Sequence, residues 1–487
     1  MTYNWRGAAF GAGLAIFFSA ALLLKPCGTV GTAFAQQPGT PNSLQGENDA
    51  RPLEAGKPIE REMAGGQKHY YKIALEAGQY SQLVVEQKGI DVIVTLFDSG
   101  GKKLIEVNSP VGAYRPERLS ITTVTSSHYR LEVYPAQKDA GAGRYEVKIA
   151  ELRMATAQGQ TRVMAEMADS EGDLLERQGT AESLKNAIEK REEALRLFKA
   201  SGDRQGEGST LHRLSFTYTL LGENQKALGY YNQALFVRRD VGDRGGEGAT
   251  LNGLGMVYNA LGEKQKALDY FNQALPLIRS VGDRSGEGAT LNGLGVVYNA
   301  LGEKQKALDC FNQRLQLNRA VSDRNGEAAA LNNLGNVYDE IGERQKALDH
   351  FNQSLAIKRS VGDRRGEAIT LHNIGLIYRA LGENQKALDH YNQSLALRRA
   401  VGDRRGEANT LNGIGTVYES LGAKQRALDY FNQSLALTRA VGDRGGEAYT
   451  LNNIGLIHES LGDNQKALDY YNPVLSHMNP PENRQVV

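Results

Sequence analysis

From residue 202 to residue 475, apolar side chains recur at helical spacing, and the whole pattern returns about every 40 residues. In one copy Leu251, Leu254, Tyr258 and Leu261 share a face of a first helix, and Ala267, Leu268, Phe271, Ala274 and Leu275 share a face of a second. Each unit is therefore a helical hairpin. Its apolar face cannot be buried alone, and stacking such units supplies a common core. The breaks between helices have physical causes. Gly282 suits the left-handed turn that ends a helix, Asp283 caps the next one, Glu287 adds negative charge to its first turn, and Gly302 separates the two helices of a hairpin. Seven close copies fill residues 202–475. A divergent first copy is expected at 160–201, where Ala187, Ile188, Ala194 and Leu195 stand one period before Ala227, Leu228, Ala234 and Leu235. Pro473 is expected to interrupt the last second helix, before a disordered polar tail at 476–487.

A different period precedes the helices. Residues 52–152 hold short runs rich in Val, Ile, Tyr and Thr, which predict strands at 69–75, 80–87, 91–97, 103–107, 119–124, 129–134 and 145–150. Turn-forming residues such as Glu76-Ala77-Gly78 and Asp98-Ser99-Gly100-Gly101 divide them. Strands at this spacing favour a β-sandwich. The fold class is thus multidomain, an N-terminal all-β sandwich followed by an all-α superhelical solenoid. Asp91 and Asp98 have the chemistry of calcium ligands, but turn aspartates more often bond their own backbone, so no metal or other cofactor is expected.

Composition changes the picture at the N-terminus. Arg6 precedes an apolar run at 8–24, and Ala33-Phe34-Ala35 offers small residues at the positions a signal peptidase reads, which predicts a signal peptide at 1–35 and an exported protein, periplasmic or secreted. A run of about 17 residues also reaches the lower limit for a membrane span, so an uncleaved anchor is the alternative, and a membrane partner enters only in that case. Residues 36–51, rich in Gln, Pro, Gly, Ser and Asn, read as a flexible linker. Removal of Cys27 with the signal would leave Cys310 alone, in a slot held by Tyr270, His350 or Tyr430 elsewhere, so no internal disulfide is available. Lys plus Arg total 57 against 56 for Asp plus Glu, a balance that argues against nucleic acid as a partner.

Leu251, Leu254, Gly255, Tyr258, Gly262, Ala267, Phe271 and Ala274 stand at the spacing of the tetratricopeptide signature, and the region resembles that family. It departs from the family pattern in having Leu251 where a large residue is usual, and Arg279 where a proline ends the second helix. Without that proline the second helix can extend, which accounts for the long unit. Arrays of this kind resemble those of kinesin light chains and G-protein-signalling modulators, and the resemblance implies an extended peptide held in a concave groove. Lys68-His69-Tyr70-Tyr71-Lys72-Ile73, Gly89-Ile90-Asp91-Val92, Leu96 to Gly101 and Gly143-Arg144-Tyr145 are similar to the bacterial pre-peptidase C-terminal sandwich. Signal, sandwich and repeats in this order resemble the front half of bacterial proteins ending in a CHAT peptidase, although the chain stops short of one.

Candidate site residues follow from comparing repeats. His212, Asn252, Asn292, Asn332, His372, Asn412 and Asn452 lie one residue after the repeated leucine, in the slot that faces the groove in the resembled family. An amide can donate to and accept from a peptide backbone, so these residues suggest a peptide-holding ladder; the other reading is that they satisfy neighbouring helices. Selectivity would come from the variable positions Met256, Val296, Asn336, Leu376, Thr416 and Leu456, and from Asn259, Asn299, Asp339, Arg379, Glu419 and Glu459. The acidic bias of the later ones, with Glu340, points to a basic or donor-rich ligand. No phosphate loop, paired-Cys motif or metal-spaced His cluster is present, so the chain is expected to be a non-catalytic scaffold that binds a protein or peptide segment. Two alternatives stay open: a regulatory or truncated member of a CHAT peptidase system, and a carbohydrate- or surface-binding sandwich with the repeats as spacer. Oligomeric state is not assigned.

Overall fold

The computed structural model describes residues 50–108, 116–136 and 140–478. The expected signal or anchor at 1–35, nearly all of the linker and the tail from 479 lie outside them. The chain divides into two compact units, residues 1–293 and 294–487.

The first unit begins with β1 (Arg51–Pro52), β2 (Ile59–Met63), β3 (His69–Leu75), β4 (Gln79–Lys88), β5 (Val92–Phe97), β6 (Lys103–Val107), β7 (Glu117–Thr122), β8 (Ser127–Pro135) and β9 (Gly143–Met154). They form a five-stranded sheet, β1-β3-β8-β5-β6, and a four-stranded sheet, β2-β9-β4-β7. Alternate residues of both sheets, including Tyr71 and Ile73 of β3 and Leu83 and Val85 of β4, meet in one core, as a sandwich requires. Nine strands stand among the described residues where seven were expected. β1 has two residues at the edge of the expected linker, and β2 reads Ile-Glu-Arg-Glu-Met, too charged to announce itself until it pairs with β9. Asp98 is a turn residue: its Oδ1 accepts from the N–H groups of Gly100 and Lys102, each at 2.9 Å. Gly143 is needed for close approach, since a Cβ there would stand 2.7 Å from the Gly89 carbonyl oxygen.

Helices of the first unit are α1 (Ala157–Glu176), α2 (Ala181–Ser201), α3 (Arg204–Leu220), α4 (Asn224–Asp240), α5 (Arg244–Ala260) and α6 (Lys264–Ser280), with α7 (Arg284–Ala300) at the division. The second unit continues with α8 (Lys304–Ala320), α9 (Arg324–Glu340), α10 (Arg344–Val361), α11 (Arg364–Ala380), α12 (Asn384–Ala400), α13 (Arg404–Ser420), α14 (Lys424–Ala440), α15 (Arg444–Ser460) and α16 (Asn464–Met478). In the repeat that contains α5 and α6, both helices have 17 residues and short turns join them, which fills the long unit. Asp283 Oδ1 accepts from Gly286 N–H at 2.8 Å, and Gly282 has φ 71°. Arg279, standing in for the proline, bonds Glu287 at 2.7 Å and so ties the end of a second helix to the first turn of the next first helix. The same pair recurs as Arg239–Glu247, Arg359–Glu367, Arg399–Glu407 and Arg439–Glu447.

What packs the repeats is an aromatic ring against glycine. A methyl group on Gly255 would stand 2.7 Å from the Phe271 ring, and one on Gly293 would stand 2.5 Å from the same ring. Phe271 is therefore clamped between the first helix of its own hairpin and that of the next. In the second unit Tyr391 is held in the same way by Gly375 and Gly413. The divergent first repeat does this differently. Arg191, 1% exposed, occupies the ring position and bonds Asp173 at 2.7 Å as well as Glu176 and Thr217, while Arg213 pairs with Asp169 at 2.9 Å and Asp173 at 2.6 Å. A buried ionic network thus replaces the ring, while a glycine still makes room for the side chain: a Cβ on Gly172 would stand 2.9 Å from Arg191 Cγ. Removing one partner from such a network typically costs about 3–5 kcal/mol because the other charge stays buried.

The sandwich docks on α1 through polar bonds. Glu166 accepts from the Ser120 hydroxyl at 2.9 Å and from its N–H, and Ser170 Oγ donates to the Glu106 carbonyl at 3.0 Å. The expectation for Pro473 is corrected: α16 runs through it to Met478, so the tail cannot begin at 476 as expected. Packing overrides the lost N–H, because Tyr471 covers Gly455 and Val474 lies on the core formed with α15. Pro276 is likewise inside α6.

Two variants test this account. Gly255→Ala gains about 1 kcal/mol of helix propensity, but it overpacks a site where such crowding costs about 1–3 kcal/mol. It should lower the melting temperature, and Gly255→Ala with Phe271→Leu should recover part of the loss. Ser322, at φ 57°, stands where the other repeats have glycine. Ser322→Gly should raise stability by about 1 kcal/mol in chemical denaturation, and no change would show that the strain is absent.

Candidate functional site

The residues expected to form the ladder sit on the first helices, and the structure gives most of them a partner in the following repeat. In the first unit His212 Nδ1 lies 3.3 Å from Thr250 Oγ1, and the Asn252 amide oxygen accepts from Thr290 Oγ1 at 3.0 Å. In the second, Thr370 Oγ1 donates to Asn332 at 3.2 Å, and Thr410 Oγ1 lies 3.3 Å from His372 Nδ1. Asn412 Nδ2 donates to Thr450 Oγ1 at 2.9 Å, while that hydroxyl reaches the Gly446 carbonyl at 2.7 Å. Asn292 is buried and Asn452 is exposed. These side chains therefore link repeats to one another, and only what remains of their bonding capacity can face a ligand. Burial, then the nearby Arg398 and Arg379, lower the His372 pKa to about 3, so it is neutral at physiological pH.

One turn further along, Met256, Val296, Asn336, Leu376 and Thr416 are half-buried and Leu456 is exposed. Asn336 accepts from Asn373 at 3.2 Å and Thr416 donates to the Asn412 carbonyl at 2.9 Å. In the last row, Asn259 and Asn299 are engaged by Lys264 at 2.7 Å and Lys304 at 2.8 Å. Glu340 accepts from Asn299 at 3.1 Å and pairs with Lys304. It is spent on joining repeats.

The rest of that row lies in the second unit. Helices α9, α11, α13 and α15 pack side by side, so Asp339, Arg379, Glu419 and Glu459 form one contiguous line. Burial raises the Asp339 carboxyl above its ordinary value although Arg344 opposes it, and burial raises Glu419 although Arg379 opposes that. Glu459 accepts from the Tyr471 hydroxyl at 3.0 Å. Two carboxyl groups are thus held partly away from water without full compensation, and donor groups of a ligand could provide it. Among the described residues no group of three or more His, Cys, Asp or Glu could hold a metal ion, and no helix is long and apolar enough to cross a membrane.

The other face carries a feature that sequence reasoning missed. Tyr258 stacks on Tyr270 at 5.2 Å, Tyr338 on His350 at 5.2 Å and Tyr418 on Tyr430 at 5.4 Å. A cation sits over the first ring of each pair, Lys266 at 5.2 Å in one copy. The confinement of positions 230, 270, 350, 390, 430 and 470 to Tyr or His was the available signal. Cys310 occupies this ring slot and is buried there.

The tetratricopeptide repeat family model matches residues 211–280, 246–320, 287–360, 366–440 and 425–478. Comparison with curated proteins gives no match. Among solved structures, the chain is similar to the apo form of the quorum sensor NprR from B. thuringiensis, at 17% identity and a TM-score of 0.51 over 65% of this chain and 88% of that one. It is also similar to aspartyl phosphate phosphatase F from Bacillus subtilis, at 14% identity and a TM-score of 0.47 over 60% and 75% of the two chains. A kinesin light chain candidate from Podosopora anserina with nearly identical repeats shares 20% identity at a TM-score of 0.34, over 39% of this chain and 95% of that one. At such identities the likeness is one of fold alone. With matched segments that together span more than half of its length and hairpins that stack as the signature requires, the chain belongs to the tetratricopeptide repeat family.

Proposed function

We propose that the protein is a non-catalytic, exported scaffold whose repeats hold a basic, extended segment of a partner protein. The observation that carries this reading is the line of Asp339, Arg379, Glu419 and Glu459, where burial raises two of the carboxyl groups. Lysine or arginine side chains of a bound segment would offset that burial, and Arg379 would select an acidic or carbonyl group between them. Export rests on the apolar run at 8–24 and the small residues before Gln36.

Panning the full chain against a displayed random-peptide library should enrich peptides carrying two or more basic residues. The triple variant Asp339→Asn, Glu419→Gln, Glu459→Gln should then bind those peptides about tenfold or more weakly, with an unchanged melting temperature. Equal binding by the triple variant would overturn the reading. N-terminal sequencing of the mature protein should begin at Gln36, and a retained Met1 would argue for an anchor.

A further inference from the structure

Charge is nearly balanced over the whole chain, yet one edge of the second unit is basic. Residues 358–367 and residues 398–407 each hold four cations against two carboxylates, whereas the matching residues 318–327 and 438–447 hold two of each. These segments are the turns between repeats, from the end of one second helix to the first turn of the next first helix. The helices they open, α11 and α13, pack side by side, so the two excesses lie on one edge. Arg364-Arg365 and Arg404-Arg405 start those helices, where the neighbouring repeats have Arg324-Asn325 and Arg444-Gly445.

The carboxylates of this edge are already spent. Arg359 holds Glu367 at 2.8 Å, and Arg399 holds Glu407 at 2.7 Å. Asp363 caps α11 by accepting from Gly366 N–H at 2.8 Å. Asp403 caps α13 through Gly406 N–H at 3.0 Å, and it meets Arg398 at 3.1 Å and Arg365 only at 3.9 Å. What is left is positive. Arg364 and Arg404 are exposed and form no ion pair among the described residues. Burial lowers the Arg398 guanidinium below its ordinary value, Asp403 opposes this, and the charge of Arg365 adds to it. Cations of successive repeats therefore repel one another, and an external anion would relieve that. Val361 and Val401, 36% and 38% exposed, stand on the same turns three residues before Arg364 and Arg404. Turn tips that present a valine beside two guanidinium groups suit a surface offering many phosphates at no fixed spacing, with an apolar layer just beneath. An anionic bilayer has both. An acidic peptide offers carboxylates in a single row and no apolar layer for the valines.

We propose that this edge docks the protein on an anionic lipid surface, with Arg364, Arg365, Arg404 and Arg405 against lipid phosphates and Val361 and Val401 at the acyl boundary. It is separate from the candidate peptide site, since Arg379 and Glu419 lie at the opposite ends of α11 and α13. Co-sedimentation of the full chain with vesicles of equal parts phosphatidylcholine and phosphatidylglycerol should show binding that added salt removes, and far less binding to phosphatidylcholine alone. The apolar run at 8–24 is common to every variant and its insertion does not depend on salt, so the salt-dependent part reads the edge. The quadruple variant Arg364→Gln, Arg365→Gln, Arg404→Gln, Arg405→Gln should weaken that part about tenfold or more, with an unchanged melting temperature. Val361→Ser with Val401→Ser should weaken it about threefold or more. Lys346→Gln with Lys386→Gln, which removes cations from the second helices, should change it less than about twofold. Equal binding to phosphatidylcholine alone, unchanged binding by the arginine or the valine variant, or binding of polyglutamate without binding of the vesicles would each overturn the proposal.

Discussion

A flat ring pressed onto helix backbone sets the spacing of this molecule. Phe271 fits between two first helices because Gly255 and Gly293 leave no Cβ in its way, and Tyr391 fits between Gly375 and Gly413 for the same reason. Glycine weakens each first helix by roughly 1 kcal/mol relative to alanine, and burial of an aromatic side chain offsets that loss. The close approach brings neighbouring first helices near enough for threonine to meet the asparagine or histidine of the preceding repeat. These bonds between repeats are thus a consequence of the ring packing behind them.

Where the ring is missing, charge takes over. Arg191 fills the ring position of the first repeat and is surrounded by Asp173, Glu176 and Thr217. Buried ion networks contribute less to stability than well-packed apolar groups, but they demand specific partners. The aspartates of this network sit on α1, the helix that also meets the sandwich through Glu166 and Ser170.

The helical period, the glycine turns, the aspartate caps and most strands were legible because each depends on a few neighbouring residues. β2 was not, since its sequence gains an alternating pattern only when β9 covers it. Pro473 misled for a related reason: local chemistry ends a helix there, but contacts of Tyr471 and Val474 continue it. In the candidate site, the helical period puts the positions on the first helices, where they lie, whereas the period says nothing of their availability to a ligand. Glu340 looks like a groove charge in sequence and is in fact held by Lys304 and Asn299 from the preceding repeat.

The sequence alone determined the unit, its length and its stacking class, because a period of apolar residues and turn formers acts over one or two helical turns. Tertiary structure decided which polar groups remain for a partner. An asparagine one residue after a buried leucine has the same local surroundings in every repeat, yet Asn412 donates to Thr450 and Asn452 is exposed. Hydrogen-bond capacity and desolvation are set by whatever lies across the next helix, and that neighbour is some 40 residues away in the chain.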